Sequence, residues 1–114
     1  MFYKVKKLSG IVYVIRMELD SGEVVYKVGI TTRKIEDRLA EILIGVFKYL
    51  RYVPRTSVRR FSKSERYEWV ERELLDRYAD KKYEWGFSFG GSTEFVCGVE
   101  EEELLEVYDS LMKV

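Results

Sequence analysis

A pair of β-branched runs near the start of the chain constrains the fold more than any other feature. One run extends from Ile11 to Met17 and the other from Val24 to Ile30, and both have the composition of buried strands. The "LDSGE" segment between them has the composition of a turn. Because parallel neighbours need a crossover of about a dozen residues or more, this short connection predicts an antiparallel hairpin.

The segment after the hairpin has helical spacing, and Thr31 or Thr32 can cap its N-terminus. The apolar positions that form one side of this helix are Ile35, Leu39, Ile42, Leu43 and Val46. We expect a third strand directly afterwards, from Phe47 to Val53.

Further elements follow in the second half of the chain. Ser62 with Glu65 three residues later is a capping-box pattern, which predicts a helix from there to about Tyr78. The Gly-rich segment "WGFSFGGSTEFVCG" leads into a short strand near residues 94–97. Residues 100–113 are predicted to form a last helix, whose first turn is rich in glutamate as the helix dipole favours.

These elements predict a single α+β domain over residues 1–114, with a small antiparallel or mixed three-stranded sheet flanked by helices. No apolar run approaches the ~20 residues of a membrane span, and no signal-peptide pattern opens the chain. We therefore expect no membrane partner and a cytoplasmic location, in the host cytoplasm if the protein is viral.

Missing residue types exclude several kinds of chemistry. The chain contains no His, and Cys97 is its only cysteine, so a Ser-His-Asp triad, a Cys-His pair, His-ligated zinc and internal disulfides are excluded. Acid–base chemistry must come from Tyr, Lys, Arg, Asp or Glu, and a metal site would be a carboxylate site suited to a hard ion. Asn and Gln are absent while Lys, Arg and Glu are abundant, which fits a heat-adapted host.

The charges are unevenly distributed although the formal net charge is +0. Residues 48–66 are strongly basic, and Tyr and Phe side chains are interspersed among them, as suits a phosphate backbone. The candidate nucleic-acid-binding residues in this basic block are Arg55, Arg59, Arg60 and Lys63. Residues 100–109 form an acidic block. A solvated charged surface is the alternative interpretation of the basic block, and the sequence leaves both open.

Two charged residues are set apart by helix geometry, in which each residue advances about 100° around the axis. On the predicted 62–78 helix, Glu71 is the one acidic residue near the apolar side. On the first helix, Arg38 lies at the border of the apolar side. Either these two residues pair with each other or with neighbours, or they face a cleft shared with Tyr13, Tyr26 and Lys27.

The pattern "GIVYVI … YKVGITTRKIEDRL … VEREL … STEF" resembles the GIY-YIG nuclease superfamily. It is most similar to the small phage and microbial branch that includes the meiotically up-regulated gene proteins. The similarity covers Gly10 to about Phe95, and "YKVGIT" followed by Arg38 is its most specific part. The resemblance implies a GIY-YIG-like fold that acts on nucleic acid, and it implies metal-dependent phosphodiester cleavage as the activity.

The resemblance also implies residue roles. A hairpin Tyr or Lys, from Tyr13, Tyr26 and Lys27, would help to activate a water molecule, and Arg38 would stabilise charge on the phosphate. Glu71 would hold one Mg²⁺ or Mn²⁺ ion. Gly29 lies in the second motif of the family pattern, the "YKVGIT" segment, where backbone without a side chain lets a phosphate approach closely. Glu94 occupies the polar position near the end of the family pattern.

The sequence leaves the two tyrosines and the activity open. The strict GIY-YIG tyrosine positions hold Val12 and Lys27, one place from Tyr13 and Tyr26, so sequence does not decide which tyrosine shares a face with Lys27. A DNA-binding module of the same fold without cleavage is one alternative. A viral or microbial protein-interaction accessory protein is another. The expected partner is nucleic acid, with DNA preferred, and a homodimer is left open.

Overall fold

In the computed structural model, which describes residues 8–87 and 89–113, the chain forms four β-strands, three α-helices and two short 3₁₀ turns. The strands are β1 (Gly10–Glu18), β2 (Val24–Thr31), β3 (Arg55–Ser64) and β4 (Phe95–Cys97). The α-helices are α1 (Ile35–Leu50), α2 (Tyr67–Arg77) and α3 (Glu101–Met112), and the 3₁₀ turns are Ala79–Lys81 and Ser92–Glu94. None of the helices in these described ranges is long and apolar enough to span a bilayer.

The four strands form one antiparallel sheet in the order β3-β1-β2-β4. The predicted hairpin is confirmed, with Ile11 opposite Thr31 at one end and Glu18 opposite Val24 at the other. The predicted α+β class is also confirmed, but the predicted number of three strands is wrong. The short β4 adds a fourth strand by pairing with β2 from Val25 to Lys27.

The third strand lies later in the sequence than predicted. The Phe47–Val53 segment was expected to be a strand, but α1 continues through Leu50 and ends at Arg51, which adopts a left-handed conformation with φ 64°. The amide of Arg51 closes the last turn by donating to the carbonyl of Phe47. Val46 is the last buried residue of α1, and Phe47 and Tyr49 after it are exposed, so the last turn is helical although it carries no buried side.

The predicted capping box is also wrong, because Ser62 belongs to β3 and not to a helix start. Ser62 lies opposite Val12, and Ser64 lies opposite Gly10, so the ladder with β1 holds this segment extended. Helix α2 begins only at Tyr67 and has no side-chain cap hydrogen bond. Pairing with a central strand therefore overrides the local helix-start signal.

The sheet has two covered faces, here called the front and the back. The front face carries Tyr13, Ile15 and Val25, against which α1 and the 83–95 segment pack. The back face carries residues that α2 and α3 cover, namely Val12, Val14, Tyr26 and Val28. Because side chains alternate along a strand, neighbours in sequence lie on opposite faces.

The acidic helix α3 is docked on the back face next to the basic strand β3. The hydroxyl of the buried Tyr108 donates to the carbonyl of Val12 at 2.7 Å. Arg59 contacts Glu101 at 2.8 Å and Arg60 contacts Asp109 at 3.2 Å. The basic and acidic blocks of the sequence therefore neutralise each other in part across the β3–α3 boundary.

We predict that replacing Arg59 and Arg60 together by alanine destabilises the fold. Each ion pair is partly exposed and is worth up to about 1 kcal/mol. The double variant should lose roughly 1 kcal/mol of unfolding free energy in low salt, and the loss should shrink in 1 M NaCl because salt screens the pairs. Urea unfolding at both salt concentrations measures this. Lys63→Ala, an exposed residue on the same strand, is the matched control. An equal loss in the control would show that the ion pairs are not the cause.

Candidate functional site

Tyr13 and Gly29 lie directly opposite each other on β1 and β2, and their relationship defines the site. A Cβ atom on residue 29 would lie 2.3 Å from the Tyr13 hydroxyl oxygen and 2.4 Å from the adjoining ring carbon. The tyrosine ring therefore passes across β2 through space that any side chain at position 29 would fill. Only glycine permits this crossing.

The crossing brings the phenol to an open part of the sheet edge. Strand β4 pairs with β2 only as far as Lys27, so within the described residues the Val28–Thr31 part of β2 has no strand on the side that faces away from β1. Arg38 of α1 meets the phenol there, and its Nε–H donates to the Tyr13 hydroxyl at 3.2 Å. Arg38 also donates through Nη1 to Glu41, at 3.1 Å.

Lys27 also points to the front face, because it lies opposite Ile15 on β1. The register therefore places Tyr13, and not Tyr26, on the same face as Lys27. The Lys27 side chain is fully buried, and its ammonium forms an ion pair with Glu94 and donates to the carbonyl of Gly91 at 3.3 Å. Burial lowers the pKa of Lys27, and the charge of Glu94 opposes that change.

Gly91 shapes the loop that contains this ion pair. Its φ of 81° lies in the left-handed region, which glycine adopts without strain. A Cβ atom there would also lie 2.9 Å from the Lys27 ammonium nitrogen. The Gly-rich loop is therefore held against the sheet by a buried cation that contacts both Gly91 and Glu94.

Glu71 of α2 interacts electrostatically with these side chains, and together they are here called the cluster: Tyr13, Lys27, Arg38, Glu71 and Glu94. The neighbours of Glu71 on its helix, Val70 and Leu74, pack on the back face, yet the charge of Glu71 acts on Tyr13, Lys27 and Arg38. The Glu71 carboxylate therefore lies close enough to these three side chains to interact with them electrostatically. Burial and the nearby Glu94 raise its pKa to about 7. No hydrogen bond or ion pair from the described residues reaches this carboxylate.

Five of the six predicted catalytic and metal-binding residues are thus electrostatically coupled at one place: Tyr13, Lys27, Arg38, Glu71 and Glu94. The structure does not bring Tyr26 to them. Tyr26 lies on the back face, opposite Arg16, and its hydroxyl donates to Glu101 at 3.4 Å.

The predicted nucleic-acid-binding residues are divided between two regions. Gly29 lies in the cluster, beneath Tyr13. The predicted residues of the basic block all lie on β3, at the other edge of the sheet: Arg55, Arg59, Arg60 and Lys63. Arg55 contacts Glu18 at 3.7 Å, and Arg59 and Arg60 contact α3 as described above. Their predicted role in binding nucleic acid stays a prediction, and it would require phosphates to compete with these carboxylates.

Sequence reasoning missed two residues beside the cluster, Arg33 and Glu41. Both terminal nitrogens of Arg33 contact Glu41, at 2.6 and 2.7 Å, so Glu41 binds Arg33 and Arg38 together. Hydrogen bonds from the two arginines lower the pKa of Glu41 to about 2. The i,i+3 spacing of Arg38 and Glu41 was a signal for one of these contacts. The contact with Arg33 depends on the turn before α1.

A metal ion would have few protein ligands here. Within residues 8–87 and 89–113, no group of three or more Cys, Asp or Glu side chains is arranged to hold one. Glu94 is already bound to Lys27, so Glu71 is the carboxylate whose charge lacks a partner. One carboxylate, with waters and substrate oxygens as further ligands, fits the habits of Mg²⁺.

Comparison with known families gives one match. The model of the T5orf172 domain matches residues 10–112. Neither the curated proteins nor the solved structures contain a significant match. The family is nuclease-like and DNA-binding in character, which supports action on nucleic acid in general.

The predicted membership of the GIY-YIG superfamily is wrong. The matching family is a different one, although its fold is related to GIY-YIG-like nucleases. Motif pieces such as "YKVGIT" therefore identified a related fold and assigned it to the wrong family.

Glu71 generates a prediction about pH. Its pKa is raised from 4.5 to about 7, so between these values the folded state binds more protons than the unfolded state. The contribution of Glu71 to stability therefore falls as pH rises from about 4.5 to 7 and is level above. Allowing for solvent screening, we expect this fall in unfolding free energy to be roughly 1–2 kcal/mol. Glu71→Gln should remove this fall and be more stable than wild type at pH 7.5.

Urea unfolding at pH 4.5, 6 and 7.5 measures the effect. Glu73→Gln is the control, because Glu73 is exposed on the same helix. If Glu71→Gln follows the wild-type pH profile, the carboxylate does not carry the buried charge described above.

Gly29 generates a second prediction. Gly29→Ala should lose about 1–3 kcal/mol of unfolding free energy, because the new methyl group and the Tyr13 phenol occupy the same space. Gly45→Ala in α1 is the control. A Cβ atom there meets Phe89 at an ordinary 3.5 Å, and alanine favours the helix by about 0.5–1 kcal/mol. Thermal and urea unfolding compare the two, and equal stabilities would contradict the crossing of Tyr13 over Gly29.

Proposed function

Since the chain belongs to the T5orf172 domain family, we propose that it cleaves phosphodiester bonds in DNA at the open edge of the sheet. The observation that carries this proposal is the meeting of Arg38 and Tyr13 beside a carboxylate, Glu71, whose charge has no partner among the described residues. A guanidinium, a phenol and an unpaired carboxylate at an open edge match the needs of a phosphate group undergoing substitution.

Arg38 is the group that binds the phosphate. Two of the five N–H groups of its guanidinium contact Tyr13 and Glu41, so three remain for a substrate. A planar guanidinium matches phosphate oxygens in pairs and stabilises the charge that develops on them. Because Tyr13 and Glu41 hold this side chain from two directions, it is oriented before the substrate arrives.

Tyr13 positions Arg38 and does not act as the base. The phenol is fully buried, and burial raises its pKa, although the hydrogen bond from Arg38 opposes the rise. The phenol is therefore protonated at neutral pH. It accepts a hydrogen bond from Arg38, and this contact holds the guanidinium group in place.

Glu71 would hold one Mg²⁺ or Mn²⁺ ion, which would neutralise phosphate charge and lower the pKa of a bound water. In the reaction, a water oxygen forms a bond to phosphorus while the bond to the leaving sugar oxygen breaks. The leaving oxygen takes up a proton as the water loses one. A half-buried carboxylate that forms no ion pair with the described residues is the feature that favours a cation.

Lys27 and Glu94 maintain the shape of the site. Their buried ion pair and the contact with Gly91 fix the Gly-rich loop beside the cluster. Removing one partner would strand a buried charge, so both residues are positioning residues in this proposal.

The alternative function is DNA binding without cleavage. The observation that favours it is the small number of metal ligands, since no cluster of three or more exists in the described parts of the chain. In that case Arg38 would still bind phosphate, and Glu71 would remain a half-buried acid without a catalytic role.

Nicking of a supercoiled plasmid tests the proposal. We expect wild-type protein to nick in Mg²⁺ or Mn²⁺, and Glu71→Gln to lose this activity while it still binds DNA, because glutamine keeps the volume and loses the charge. Glu73→Gln on the same helix should nick like wild type. Binding without nicking by the wild type would favour the alternative, and full nicking by Glu71→Gln would refute the role of Glu71.

A further inference from the structure

A cleft of about 340 Å³ adjoins the cluster, between the end of β2, the start of α1 and the start of α2. Thr31, Thr32, Arg33 and Arg38 line one side, and Tyr67 and Glu68 line the other. Its volume lies in the range of about 300–1,000 Å³ that is common for small-ligand pockets. Arg38 belongs both to the cleft and to the cluster, so the two are continuous.

Two arginines are held side by side in the wall of this cleft. Nη2 of Arg33 and Nη1 of Arg38 lie 2.7 and 3.1 Å from the same oxygen of Glu41. One carboxylate therefore serves two guanidinium groups, and a surplus positive charge stays on this wall. A phosphodiester carries one negative charge and complements that surplus.

Arg33 retains free donors in this arrangement. Its terminal nitrogens contact Glu41, which leaves the Nε–H without a partner among the described residues. Just over half of its side chain is exposed, at 55%. The backbone N–H of Arg33 donates to the hydroxyl of Thr31 at 3.1 Å, which fixes the turn from which the side chain extends.

The opposite wall is negative. Glu68 lies there and hydrogen-bonds the hydroxyl of Tyr67. An anion in the cleft is therefore attracted to the arginine wall and kept away from α2. The cleft thus has a polarity that selects where a phosphate can lie.

From these contacts we infer that Arg33 binds a second phosphate of the same nucleic-acid strand, next to the phosphate that Arg38 binds. Glu41 is the positioning residue that holds the two guanidinium groups together. This inference rests on the proposed function, because it assigns the neighbouring phosphate to a strand that Arg38 already contacts. The substrate is then a nucleic-acid strand that has a further phosphate next to the phosphodiester bond that is cleaved.

Salt-dependent binding tests the inference. Labelled single-stranded DNA is titrated without divalent ions, so that no cleavage occurs, at several NaCl concentrations. Arg33→Gln should weaken binding roughly tenfold at low salt, as expected for losing a hydrogen bond between charged groups. It should also reduce the slope of log affinity against log salt by about 0.7, the value for one phosphate of a single strand.

Two further variants separate a direct contact from a general charge effect. Lys34→Gln removes one exposed positive charge at the next position and should keep the wild-type slope. Arg33→Lys should keep the slope and lose only a few-fold in affinity, because lysine supplies the charge without the planar fork. Thermal unfolding of each variant confirms that the fold is intact.

The outcomes also separate this inference from the proposed function. If wild-type protein nicks and binds DNA but Arg33→Gln keeps the wild-type slope, the inference fails and the proposed function stands. An equal loss of slope in Lys34→Gln also overturns it, because the effect would then be general electrostatics. The wild-type protein could also bind DNA with a salt dependence that Arg33→Gln reduces, and yet not nick DNA. In that case the inference about the second phosphate stands and the proposed cleavage activity is refuted.

Discussion

The passage of the Tyr13 phenol across Gly29 is the contact on which the site depends. It carries a polar group from the middle of β1 to the open edge of β2, where Arg38 binds it at 3.2 Å. The missing Cβ of Gly29 provides the room, and the shortness of β4 leaves the edge open. Without the crossing, Arg38 would have one anchor, Glu41, and not two. A backbone detail on one strand thus fixes the direction of a charged side chain on a helix.

Charge pairing differs between the two edges of the sheet. On the back face and along β3, basic residues meet the carboxylates of α3, as Arg60 meets Asp109. At the open edge the pairing is incomplete, because Glu94 is taken by Lys27 and Glu71 is left without an ion pair among the described residues. Burial of an unpaired carboxylate is unfavourable and raises the pKa of Glu71 to about 7. The cost in stability is concentrated where the proposed chemistry occurs, as in other functional sites.

Sequence patterns predicted the elements unevenly. The hairpin was predicted correctly because a short turn between two β-branched runs allows few alternatives. The strand predicted from Phe47 to Val53 was wrong because α1 continues through Leu50, with Phe47 and Tyr49 exposed on its last turn. The capping pattern at Ser62 failed because β1 offers that segment a ladder of backbone hydrogen bonds. Local signals held where no tertiary partner competed with them.

The sequence by itself determined the α+β class, the hairpin and the residue types available for chemistry, since no histidine is present. Helical spacing alone also set Arg38 and Glu71 apart. Tertiary structure decided which tyrosine joins Lys27, because pairing Tyr13 with Gly29 places it on the front face and pairing Tyr26 with Arg16 does not. It also decided that the basic block meets α3. Strand register and the docking of distant helices are set by the packing of the whole core, and a one-residue change in register would turn every side chain of a strand to the other face.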